Sequence, residues 1–477
     1  MRPTKLTEVL SQLTQTELKK FRKFINSPYF HQHKDTITFF EALAKYHPDY
    51  HHDKVTSEII YEAVFPGQAY DDGKVRTLRK YLHKLLNTFL SLESFLESPH
   101  EVEKHQINTY LDKGLTKYVP KGFDTQRDIL TKQLLLGPSK YLELFVLEDK
   151  ILQFRVEHED RWENTAVLKP MEHLDHFFIL EKLMYACSLH TYGSIFKNVP
   201  TDLFLIQDIT EYCEQHFDSL PSIIQAYTLS LKLVSGRAEE EDLEILQGIV
   251  KEGNEHFEIK DLINFYVIIV NYCSFTYRRG RTEALSKMFE VYKDMITYGI
   301  LAQTQKGLLY HFKNLVTLGL KLKEYQWTET FIEDWIKAIP EENQTDIYHF
   351  SRANLFTHTG EYTKALKELQ EATFIDPFYR IGYYTLLFKI HFEQNEEEAF
   401  LALVNTYRTY LRRRSGLTEE RKQPYKEFIR LGKEVFQAKR DHASGANGSL
   451  RDIRTEVQES KSLVEKEWLL EKLDMIP

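Results

Sequence analysis

Apolar residues recur at spacings of three and four along almost the whole of this 477-residue chain, and strict apolar–polar alternation over a strand's length is rare. Side chains so spaced share one face of a helix, so the pattern predicts an all-α protein. The cleanest stretch is 75–96, where Val75, Leu78, Leu82, Leu85, Phe89, Leu92 and Leu96 step by three and four without interruption. They predict a helix of about six turns with one packed seam. Ahead of it, helices are expected near 4–13, 15–26, 35–46 and 56–64. Thr14 or Thr16 is placed to cap the second by accepting a bond from a first-turn amide. Turn residues crowd NSPYFHQHKD, HPDYHHD and FPGQAYDDG between them. Residues 1–100 therefore read as a small N-terminal helical domain, and 101–169 as connecting helices.

From about residue 170 the helical segments come in pairs. HLDHFFILEKLMYACSLH is followed by DLFLIQDITEYCEQHF, and SIIQAYTLSLKLV by EEDLEILQGIVKE. Antiparallel pairs in series are the mark of an α-solenoid. Residues 357–377 read THTGEYTKALKELQEATFIDP, with Gly360, Tyr362, Ala365, Leu369, Ala372 and Pro377 at offsets 0, 2, 5, 9, 12 and 17. The alanines let two helices approach, Gly360 turns the corner, and Pro377 is expected to end the second helix.

This pattern resembles the tetratricopeptide repeat, a helix-turn-helix unit of about 34 residues. Ala399 and Leu403 lie 34 residues beyond Ala365 and Leu369; Tyr325, Ile332 and Pro340 lie 37 before Tyr362, Leu369 and Pro377. Gly280, Leu285, Phe289 and Tyr292 keep the same offsets. The resemblance is strongest over 346–379 and extends over about 266–413. It implies a solenoid of tetratricopeptide-like hairpins over 170–438. The last segment, 439–477, is expected to hold the loop RDHASGANGSLRD and one helix near 450–474.

The resemblance also implies a mode of action, because in that family the first helix of each pair lines a concave groove for a peptide or partner helix. The matching positions are Tyr277 and Arg278, Lys313 and Lys321, Asn354 and His358, and Tyr384 and His391. The family's clamp for chaperone carboxyl tails is met only at Lys313 and Asn354, while Thr317, Tyr384 and Phe388 stand in its other places. The first hundred residues, with LTQTELKKFRKFINSPYF and FPGQAYDD, are similar to the openings of bacterial helical proteins without an assigned activity.

Charge changes the picture little. The chain carries a net −9, which argues against nucleic-acid binding through overall charge. Residues 1–100 hold 14 basic against 12 acidic residues, a charge of +2, so the rest carry −11. Lys74, Arg76, Arg79, Lys80 and Lys84 crowd one helix there and supply the alternative reading, a nucleic-acid-binding regulator. The three cysteines are far apart and form no CxxC pair, the pattern of buried thiols in a reducing compartment. Neither a signal-peptide core nor an 18-residue apolar run occurs, so a cytoplasmic address is expected.

Catalytic motifs are poorly matched. GQAYDDGKV at 67–75 glances at a phosphate loop, but five residues separate its glycines, Val75 replaces the magnesium-binding hydroxyl, and Asp71 and Asp72 would repel phosphate. The expected role of those aspartates is to cap the following helix. Histidines at 31, 33, 47, 51 and 52, and the pair His173 and His176, lack metal-site spacing. The sequence thus predicts a non-catalytic interaction scaffold that binds a protein or peptide and needs neither cofactor nor metal.

Overall fold

The computed structural model describes residues 4–30, 32–50, 55–158, 164–193, 203–303, 305–373, 377–413, 419–443, 450–460 and 463–476. Among these residues every regular element is helical, and no β-strand occurs. The chain divides into two compact units, Met1–Glu181 and Lys182–Pro477.

The first unit begins with α1 (Lys5–Gln12), α2 (Gln15–Ile25), α3 (Lys34–Ala44), α4 (Ser57–Val64) and α5 (Asp72–Leu96). Thr14 caps α2 reciprocally: its hydroxyl accepts the Glu17 amide at 3.2 Å, and the Glu17 carboxylate accepts the Thr14 amide at 2.7 Å. Asp71 caps α5, its Oδ1 accepting from the Gly73 and Lys74 amides at 2.8 and 3.1 Å. The seam of α5 buries Val75, Leu78, Leu82, Leu86 and Phe89 against Phe21, Phe40 and Leu43. Leu86 replaces Leu85, which is only partly buried, and Leu96 is exposed, because a 3.6-residue helix drifts away from a strict heptad. A second cluster joins α6 (Pro99–Asp112), α7 (Val119–Lys132) and α8 (Pro138–His158) around Ile107, Phe123 and Leu147. The division between units falls inside α9 (Leu168–Gly193).

The second unit continues through α10 (Ile206–Gln215), α11 (Ser222–Ser235), α12 (Glu240–Glu252), α13 (Ile259–Arg278) and α14 (Glu283–Thr297). Next come α15 (Gln305–Lys321), α16 (Tyr325–Trp335), α17 (Glu341–His358), α18 (Tyr362–Gln370), α19 (Pro377–Glu393) and α20 (Glu397–Arg413). The chain closes with α21 (Glu419–Ala443), α22 (Leu450–Glu459) and α23 (Lys466–Asp474). Helices α11 to α20 pack as five consecutive hairpins, and α11 also packs on α13, α15 on α17, and α17 on α19. The first helices start at residues 222, 259, 305, 341 and 377, steps of 37, 46, 36 and 36, so the period holds except across α13 and α14.

Each hairpin turns by the same backbone device. One residue takes a left-handed conformation: Gly236, Gly280, Lys323, Gly360 and Asn395 in turn. The amide after it bonds the carbonyl five residues back, as in Arg237 to Lys232, Arg281 to Thr276, Glu324 to Gly319, Glu361 to Phe356 and Glu396 to His391, at 2.8–3.3 Å. This is the Schellman C-cap, and five copies in register make the second unit a helical-repeat structure.

Two expectations about helix ends are corrected. Pro377 opens α19 rather than closing α18, which stops at Gln370. A proline without an amide hydrogen fits a first helical turn, so it marks the next helix. The single C-terminal helix expected near 450–474 is two, with Ser460 after α22 and Glu465, left-handed at φ 52°, ahead of α23.

Candidate partner-binding face

The Schellman corners bring the last turns of successive first helices to one end of the array. Cations are favoured there because the unpaired carbonyls at a helix C-terminus carry partial negative charge. Tyr277 stands in the last turn of α13, Lys321 ends α15, His358 ends α17, and Lys389 lies one turn from the end of α19. Tyr277, Lys321 and Lys389 bond two carboxylates at the start of α23, and His358 lies near enough to feel the charge of one of them.

Lys321 Nζ donates to the Tyr277 hydroxyl at 2.9 Å and pairs with Glu467 Oε2 at 3.3 Å. The Tyr277 hydroxyl in turn donates to Glu467 Oε1, 190 residues away in sequence. Lys389 Nζ pairs with Glu465 Oε2 at 2.9 Å. His358 Nδ1–H donates to the Asn354 carbonyl at 3.0 Å, which leaves Nε2 as the acceptor of the neutral ring. Trp468 adds an aromatic anchor: its indole N–H donates to Glu393 Oε1 at 3.0 Å, its ring packs edge-on to Phe392, and Lys389 lies over its face.

Electrostatics follow from this convergence. Burial opposes ionisation of Glu465, but Lys389, with His358 and Lys321 farther off, outweighs it and holds the carboxyl below its ordinary range. Burial pulls His358 down, and Lys389 beside it pulls further. Burial and the bond to Glu467 raise the Tyr277 phenol. Lys321 is pushed down by burial but raised overall by Tyr277 and Glu467. At neutral pH the face is therefore a cationic and phenolic set closed on two carboxylates.

The other groove positions named from sequence lie elsewhere. Lys313 sits over the rings of Phe350 and Tyr379 at 5.9 and 5.3 Å. Asn354 is buried, as is Tyr384, which stacks on Tyr407. His391 Nδ1 bonds Glu396 Oε2 at 2.6 Å across its own hairpin corner. Arg278 ends α13, and its side chain lies outside the described residues. Sequence reasoning missed Lys389, Glu465, Glu467 and Trp468; Lys389 falls between two groove positions, and the acids lie beyond the repeats. The run Glu465, Glu467, Trp468 at a helix start was the only signal.

On α5 the basic residues are partly engaged within the first unit. Arg76 pairs with Asp72 at 2.6 Å, Arg79 donates to Ser57 at 2.7 Å, and Lys74 reaches Gln68 and the Phe65 ring. Lys80 and Lys84 are exposed.

Three further groups of chemistry-bearing side chains have partners within the fold. His100, Glu101 and Glu143 bring ligand atoms within 4.8 Å of one another, but Lys104 Nζ lies 3.2 Å from both carboxylates and supplies the positive charge itself. His47 is fixed between the Leu13 carbonyl and the Gln15 amide; His31, His51 and His52 lie outside the described residues. The three cysteines are buried thiols, and burial pushes those of Cys213 and Cys273 up to about 11, far from nucleophilic thiolates at neutral pH.

Fold and face together define an all-α, helical-repeat protein, and no helix among the described residues is long and apolar enough to cross a membrane. No protein-family model matches the sequence, and no curated protein and no solved structure matches it at a significant level.

Proposed function

We propose that this chain is a non-catalytic protein-interaction scaffold, and that its second unit is a tetratricopeptide-like solenoid taking a helical segment against the ends of its first helices. One observation carries the reading: Tyr277, Lys321 and Lys389, from three of the hairpins, bond two carboxylates at the start of a single helix. Convergence of side chains from separate repeats on one helix is how a helix-in-groove partner is held. Here the helix held belongs to the same chain.

The test is affinity capture of the tagged full-length protein, with and without nuclease, alongside a Tyr277→Ala, Lys321→Ala, Lys389→Ala chain. The reading expects a nuclease-resistant, near-stoichiometric protein whose recovery falls at least tenfold in the triple variant. Recovery of nucleic acid instead, lost when Lys80 and Lys84 become alanine, would replace it with the regulator reading.

A further inference from the structure

We infer that α23 is a resident and displaceable ligand of the first-helix face, and that the partner which replaces it is an acidic helix of another protein. That helix presents two carboxylates two residues apart at its N-terminus, followed by an aromatic residue, as Glu465, Glu467 and Trp468 do here. The inference rests on the scaffold reading and adds the chemistry of the occupant.

Three observations carry it. The contact is chemically complementary: two lysines and a tyrosine hydroxyl take two carboxylates, and the acids stand at the positive end of α23 while the lysines stand at the negative ends of α15 and α19. The edge is open to a competitor at Lys321, Glu465 and Glu467, whose side chains remain 36%, 36% and 64% exposed, while Lys389 lies buried beneath it at 7%. The segment holds few fully buried residues: Val457, Leu469, Leu473 and Ile476 enter the core cluster, while Leu450, Ile453, Trp468 and Leu470 pack on it only partly buried. Elements with few buried apolar contacts open first.

An incoming helix need only copy the acidic edge to compete for the lysines, and its own apolar face then takes the place of Leu469 and Leu473 beside Phe388 and Phe428. Affinity for such a partner is reduced by the fraction of time α23 is seated, so the device sets a threshold on partner concentration.

The probe is a labelled peptide of residues 463–477, titrated by fluorescence anisotropy into the full-length protein. It is compared with the full-length Glu465→Lys, Glu467→Lys chain, in which the internal contact is repelled. The peptide should bind the double variant at least tenfold more tightly than wild type, and adding Lys321→Ala and Lys389→Ala should abolish binding. Amide exchange over 466–474 should be faster in the double variant. Equal affinity for wild type and double variant, or affinity indifferent to Lys321 and Lys389, would overturn the inference. So would unchanged exchange over 466–474, or a double variant that becomes an α23-exchanged dimer. If the peptide fails while capture still yields a partner sensitive to the Tyr277, Lys321 and Lys389 substitutions, the scaffold reading stands and only the occupant is wrong.

Discussion

At the residue scale, His358 and Glu465 give the second unit an acid sensitivity whose sign is fixed. Both groups have folded values below their ordinary ones. Each therefore contributes stability that is fully present above its unfolded value, about 6.5 for histidine and about 4.3 for glutamate, and is lost as pH falls through the folded value. Thermal stability should fall as pH drops from 7.5 towards 5.5, and His358→Gln should flatten that slope. Part of it will remain, because burial also lowers His173, His176, His190 and His311. Melting curves across that range check the prediction, and a His358→Gln slope equal to wild type would contradict it. In the first unit, Thr14→Ala removes the reciprocal cap of α2 and should cost about 1 kcal/mol, read by urea unfolding.

At the element scale the hairpin corner is the repeated unit. Lys323 and Asn395 hold the left-handed position that glycine fills in the other three hairpins. Lys323→Gly should stabilise the protein by roughly 1 kcal/mol, since a side chain in that conformation costs about that much. Gly360→Val should destabilise by a similar amount, and thermal melts of the two variants should move in opposite directions. Ala365, fully buried between α17 and α18, is the packing test: Ala365→Glu places a carboxylate in that contact and should cost at least about 3 kcal/mol. Circular dichroism melting decides it, and an unchanged midpoint would deny the packing.

The same elements show how far the sequence can be read. Helical periodicity, the caps at Thr14 and Asp71, and the corners at Gly280 and Gly360 are all local signals, and all appear in the fold. Lys323 was illegible as a corner because nothing in its chemistry favours a left-handed backbone, whereas Asn395 is of the type that tolerates one and marks helix ends, a local signal that was passed over. Pro377 was misread because proline is excluded from a helix interior but accepted at a helix start, and one residue cannot say which side it bounds. The face was half legible. Tyr277, Lys321 and His358 are repeat positions, whereas Glu465 and Glu467 become part of it only through contacts spanning 76 to 190 residues.

At the scale of the whole molecule, the second unit departs from a simple linear array. Repeats in such arrays touch only their neighbours, so stability is a sum of local terms. Here α23 bonds α13, α15 and α19 at once, tying three hairpins that are not all adjacent. The central claim is that this tie exists in solution, and zero-length carbodiimide coupling followed by peptide mass spectrometry tests it most directly. Lys321 to Glu467 and Lys389 to Glu465, at 3.3 and 2.9 Å, should be joined within the monomer. Lys232 to Asp242, at 2.7 Å inside one hairpin, serves as the control. Recovery of all three links is the predicted result; recovery of the control alone would place α23 away from the first-helix ends and contradict the account.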